Sequence, residues 1–198
     1  MDGAELFTKC LAQATVVVKQ VRPEQLTNAT PCADWHVGDL LDYLLAELDA
    51  LPKLLAGETI ALTPGDDEDD SDSVVNETAI DLSTNWQSVA DTAEAASASA
   101  DPDELAHLST GDVTNDVYLR QIAVDLLIHA WDLAVAIGMP FALAPDVALV
   151  AYDHVLSPDG ARQPDYVVAA PLGVDSGASA QVKLLALYGR SLDWHAAG

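Results

Sequence analysis

Three residues able to do chemistry stand in one apolar stretch: Asp125, His129 and Asp132 in QIAVDLLIHAWDLAVAIG, residues 121–138. On a helix turning ~100° per residue they fall within roughly 60° of one another. Tyr118 and Gln121 share the stripe. Ile122, Leu126 and Leu133 flank it on one side, Val124, Ile128 and Val135 on the other, and Ala123, Ala130 and Ala134 lie opposite. The polar groups thus bisect an apolar face, and exposing them would expose its aliphatic residues. A buried carboxylate is costly unless it is partnered. An acid and an imidazole four apart can grip one cation or hydrogen-bond each other. Two readings stand side by side: a metal site completed from a facing helix, or a buried Asp–His network, linked to a tyrosine, that needs no ion.

The elements that must position this stripe are helical. Residues 3–21 carry apolar positions at helical spacing, and two prolines in RPEQLTNATPCADW break the pattern. A second helix opens between Asp34 and Val37, with Leu40, Leu41, Leu44, Leu48 and Leu51 on one face and Pro52 expected to kink or end it. A third spans 76–100, with Asn76 and Glu77 at its start. The striped helix runs from Val113 to Ile137 and is stopped by Gly138 and Pro140. A shorter helix covers 142–156, and a last one is expected over 178–194. The expected architecture is all-α: an up-down four-helix bundle over 1–140, with a helical C-terminal extension, 141–198, packed on it as a single domain.

The net charge of −24 includes six acids in DDEDDSD, residues 66–72, so −24 + 6 = −18 remains spread over the chain. That sign disfavours nucleic acid and anionic membranes as partners. It suits solubility or a high-salt cytoplasm. No uncharged apolar run reaches membrane-spanning length, and MDGAELF does not read as a signal peptide. Two distant cysteines, Cys10 and Cys32, suggest a reduced, cytoplasmic protein without a disulfide framework. Asp66, Glu68, Asp70 and Glu77 echo a calcium loop, but Ser71 stands where that loop wants glycine and Ser73 where it wants an apolar anchor. A solvated loop is the favoured reading of 57–75.

TPCADWHVGDLLDYL at 30–44, HAWDLAVAIG at 129–138 and LLALYGRSLDW at 184–194 together resemble the DinB-like, mycothiol-dependent maleylpyruvate isomerase N-terminal domain family. The resemblance implies a four-helix bundle holding a divalent metal, often zinc, on three side chains. One is a His eight residues after the tryptophan; the others are an acid and a His four apart on the later helix. Carried over, the pair is Asp125 and His129, with Asp in place of the usual Glu. Eight residues after Trp35 stands Tyr43 instead of His. Glu47, one turn on, can bring a carboxylate instead, giving an oxygen-rich site. Alternatively, Tyr43 fills the cavity and donates its hydroxyl to Asp125. Asp132 would orient His129 or its partner on the second helix.

The resemblance also implies a low-molecular-weight thiol of the mycothiol kind, activated for transfer or isomerisation. The family's isomerase has a larger C-terminal domain, implied to supply a substrate-binding arginine, so maleylpyruvate isomerisation itself is not expected. The alternatives are a non-catalytic small-ligand bundle that has lost the metal, and an interaction module, monomer or homodimer, using leucines such as those in PKLLAG. Among other residues, Cys32 reads as a packed hydrophobe, with a reactive thiol near a helix N-terminus as the alternative, and Trp35 and Trp131 read as core rather than substrate-stacking. His36 reads as a surface residue at a helix start. His107, His154 and His195 have no partner at ligand spacing, and Arg190 reads as tying the last helix to the bundle, with binding of a substrate anion as the alternative. No dinucleotide, P-loop or nucleophile-elbow motif is present.

Overall fold

The computed structural model describes residues 1–32, 35–59, 79–159 and 170–195. The acidic run, the calcium-like residues Asp66–Glu77, Asn76 and Asp34 lie outside them. The protein is mostly helical: α1 (Gly3–Val18), α2 (Val37–Leu55), α3 (Ala79–Ser99), α4 (Asn115–Ala136), α5 (Pro145–Val155) and α6 (Ala180–Leu187), with a hairpin of β1 (Leu105–Leu108) and β2 (Gly111–Thr114) between α3 and α4. The all-α fold class is as expected. No described helix is long and apolar enough to cross a membrane.

Local chemistry sets the helix ends. Asp2 caps α1 by accepting from the Glu5 amide at 2.8 Å. Asp39 reaches back to the His36 amide at 2.8 Å, starting α2 at an exposed His36. Pro52 does not end α2, which runs on to Leu55. So close to the C-terminus the proline forfeits one intrahelical bond, and Gly57, at φ 75°, makes the stop.

The expected start of the striped helix at Val113 is corrected. Val113 and Thr114 pair in the hairpin with Ala106 and Leu105. Thr114 then caps α4 by accepting from the Val117 amide at 3.4 Å, and Asn115 donates to the carbonyls of Leu55 (3.2 Å) and Asp101 (3.0 Å). Those two bonds bring the ends of α2 and α3 together at the start of α4.

Helix directions follow from such contacts. The Gly3 amide donates to Asp116 Oδ1 at 2.6 Å at one end, and Gln25 donates to the Ile137 carbonyl at 3.3 Å beyond the other, so α1 and α4 are parallel. Trp86 Nε1 donates to Thr15 Oγ1 at 2.9 Å, early in α3 and late in α1, so α3 opposes α1. In chain order the four helices run up, down, down, up, in place of the expected simple alternation. Helices α2 and α3 thus run in the same direction, which a short turn between them would not allow.

Helix α1 packs on α4 and α3, and α2 on α3 and α4. Helix α4 is buried on all sides from Tyr118 to Ala134 except at Arg120 and Gln121, which explains its uniform greasiness. Helix α5 leans on α1 and α4, and α6 on α5.

Candidate functional site

The stripe points inward. Asp125, His129 and Asp132 are buried, with Asp132 fully enclosed. His129 sits between two acids of its own helix: Nε2 lies 3.4 Å from Asp125 Oδ1, and Nδ1 lies 3.1 Å from Asp132 Oδ2. Across from it, Tyr43 of α2 stands edge-on to the imidazole with ring centroids 5.5 Å apart, and Trp35 stacks over it at 6.2 Å. Tyr43 and Trp35 also meet edge-to-face at 5.1 Å. Because α2 opposes α4, Glu47 lies one turn beyond Tyr43 toward Asp125, close enough to feel the charges of both Asp125 and His129. The α2 residues and Trp35 are half-buried while the α4 residues are buried, so α2 forms the mouth of the site and α4 its floor.

Behind the imidazole lies a residue from the far end of the chain. Arg190 donates from Nη2 to Asp132 Oδ2 at 2.7 Å and from Nε to Oδ1 at 3.1 Å, with both side chains buried. Sequence reasoning attached Arg190 to the bundle but not to Asp132. A lone cation after the glycine of an apolar tail, in a chain with eight Lys and Arg in all, was the available signal. Cys32 is buried, as expected of a packed hydrophobe, yet its sulfur lies within 4.8 Å of ligand-type atoms of His129 and Asp132. Trp35, expected in the core, is half-buried and covers the imidazole. Trp131 is buried in the core.

The electrostatics favour protons. Burial alone would lower the His129 pKa, but Asp125 and Asp132 outweigh it and raise it to about 9. Burial, then the charge of Asp125, push Glu47 up to about 7 against the opposing pull of His129. Burial raises the Tyr118 hydroxyl, reinforced by Glu47 and Asp125. That hydroxyl has no hydrogen-bond partner among the described residues. With His129 protonated, Asp125, His129, Asp132 and Arg190 sum to zero charge, so the buried set is balanced without an ion.

Whether the residues present fit a metal depends on which side of the imidazole is considered. Cys32, His129 and Asp132 have ligand types close together, but the guanidinium of Arg190 occupies the Asp132 side and would repel a second cation there. On the Nε2 side the donors are one imidazole nitrogen and the carboxylates of Asp125 and Glu47, beside an unpartnered buried hydroxyl. Among the described residues these donors are not gathered as closely as Cys32, His129 and Asp132; they are mostly oxygen, and without a second imidazole they are a poor zinc set.

The sequence profile of the mycothiol maleylpyruvate isomerase N-terminal domain matches residues 7–134. The chain belongs to this family. Among its relatives are two uncharacterized proteins of Mycobacterium tuberculosis, Rv0738 of strain H37Rv and MT0763 of strain CDC 1551. Each is 26% identical over 149 residues, which is 75% of this chain and 75% of the relative. No solved structure matches the chain at a comparable level. The match to the mycothiol maleylpyruvate isomerase N-terminal domain takes in Trp35, Tyr43, Glu47, Asp125, His129 and Asp132 but ends before Arg190.

Proposed function

We propose that this protein is a small-molecule-handling member of its family whose pocket takes a divalent cation in competition with protons, on His129 Nε2, Asp125 and Glu47, and serves a low-molecular-weight thiol. The observation that carries the reading is the asymmetry of His129. Nδ1 is committed to Asp132 at 3.1 Å, which leaves Nε2 turned to Asp125 and the half-buried α2 wall. An imidazole whose rear nitrogen is held by a carboxylate is the arrangement that suits a ligating histidine. A cation bound there would lower the pKa of a thiol and make thiolate available at neutral pH.

The chain's own residues supply the rest. Asp132 holds the proton on Nδ1 and fixes the ring plane. Trp35 and Tyr43 wall the imidazole and keep bulk water from its faces. Glu47, on the α2 wall with a pKa raised to about 7, would give up its proton to a cation near neutrality. Tyr118 offers a buried hydroxyl to a polar atom of the ligand.

Isothermal titration of manganese and zinc salts into untagged, metal-stripped protein tests the reading. The expectation is one site, weaker for zinc than a three-nitrogen site would be, lost in His129→Gln and Asp125→Asn. No heat of binding at alkaline pH, with the protons removed, would favour a second reading: a metal-free ligand-binding bundle. The observation behind that one is the charge balance of the Asp125–His129–Asp132–Arg190 set.

A further inference from the structure

Asp125 and Asp132 flank His129 on opposite ring nitrogens, at 3.4 and 3.1 Å. Taken alone they compete for the same imidazole, and a flip of the ring would exchange its nitrogens. Among the described residues only Asp132 is also held by an arginine. Arg190 engages both oxygens of Asp132, and its Nη1 donates to the Tyr188 carbonyl at 2.9 Å. The backbone delivering it is equally defined. Gly189, at φ 71°, closes α6, the Gly189 amide donates to Ala186, and the Arg190 amide donates to the Leu185 carbonyl at 2.9 Å. The guanidinium also bonds the Cys32 side chain, so it joins the loop before α2, the middle of α4 and the end of α6.

We propose that Arg190 is a positioning residue: by immobilising Asp132 it fixes the Nδ1 side of His129 and so presents Nε2 to the pocket, making the C-terminal segment a working part of the site. The proposal rests on the reading above of Nε2 as the working nitrogen, but it concerns the ring's orientation and holds with no cation bound. The other acid cannot substitute. Asp125 stands on the pocket side, beside Glu47, and no arginine holds it among the described residues. A lysine at 190 would keep the charge and lose the planar two-oxygen fork.

Nitrogen-15 NMR of the histidine ring in metal-free protein tests this. The wild type should show a His129 Nδ1–H protected from solvent exchange. Arg190→Met should speed that exchange roughly tenfold or more by releasing Asp132 to move, with Arg190→Lys in between. Val147→Ala, which loosens the buried packing of α5 away from the Arg190 turn, should lower the melting temperature and leave the ring signal in place. An unprotected Nδ1–H in the wild type, or one unchanged in Arg190→Met, would overturn the proposal. So would an equal loss in Val147→Ala. If Arg190→Met does not fold, Arg190→Lys decides by the same reading. Failure of cation titration would leave this result standing, and failure here would leave that titration untouched.

Discussion

Arg190 and Asp132 are 58 positions apart in sequence, yet Arg190 Nη2 and Asp132 Oδ2 lie 2.7 Å apart in the core, with neither side chain more than 2% exposed. A buried pair of this kind contributes little net stability over a well-packed apolar pair, but removing one partner strands the other. Asp132→Asn should therefore destabilise the fold by about 3–5 kcal/mol, read from urea unfolding. A loss within experimental error would mean that water reaches the pair.

Stability should fall as pH rises through neutrality. His129 has its folded pKa raised from 6.5 to about 9, and Glu47 from 4.5 to about 7. A group that binds its proton more tightly when folded stabilises fully below its unfolded pKa and ceases to do so above its folded one. The Glu47 share is thus lost between 4.5 and 7, and the His129 share between 6.5 and 9. Urea midpoints should decline across the upper window in the wild type and flatten there in His129→Gln. A wild-type midpoint that climbs from 7 to 9 would contradict the sign.

Cation affinity should run the opposite way, because a divalent ion on His129 and Glu47 must displace their protons. Between pH 7 and 9 the apparent affinity for manganese should rise about tenfold per unit while His129 alone remains protonated. A pH-independent affinity would place the ion elsewhere.

Tyr43→His puts an imidazole where a phenol ring now faces His129 at 5.5 Å. It should raise zinc affinity by roughly tenfold or more, by adding a second strong nitrogen donor, and move the preference from manganese toward zinc. Competition with a chromogenic chelator measures both. Unchanged selectivity would show that the α2 wall does not reach the ion.

A Cβ at Gly3 would collide with the Asp116 carbonyl where α1 meets the start of α4. Gly3→Ala should cost about 1–3 kcal/mol by forcing the helices apart at that end. A thermal melt identical to wild type would show that α1 shifts without penalty.

Much of this was legible in sequence, and the exceptions share a cause. The periodicity of Leu40 to Leu51 and of Ile122 to Leu133 marked two helices and their buried faces, and the 125–129–132 spacing marked one polar stripe. Helix direction was not legible, because it depends on a connection whose path no periodicity encodes. The hairpin was missed because its strands are four residues each and bury only Ala106, too little to show an alternating pattern. Trp35 over His129, and Arg190 on Asp132, are pairings across the chain that local spacing cannot express.

The parallel pairing of α1 with α4 bears on how the chain is made. Leu6, Phe7, Cys10, Leu11, Ala14 and Val17 form an apolar face whose main counterpart is α4, and the Gly3–Asp116 contact that starts the interface closes 113 positions of chain. At about 5–20 residues per second a ribosome needs roughly 6–23 s to supply that partner. Until α3 and then α4 are made, the apolar face of α1 lacks its native cover, so the longest-range helix contact of the bundle is also the last available to the growing chain.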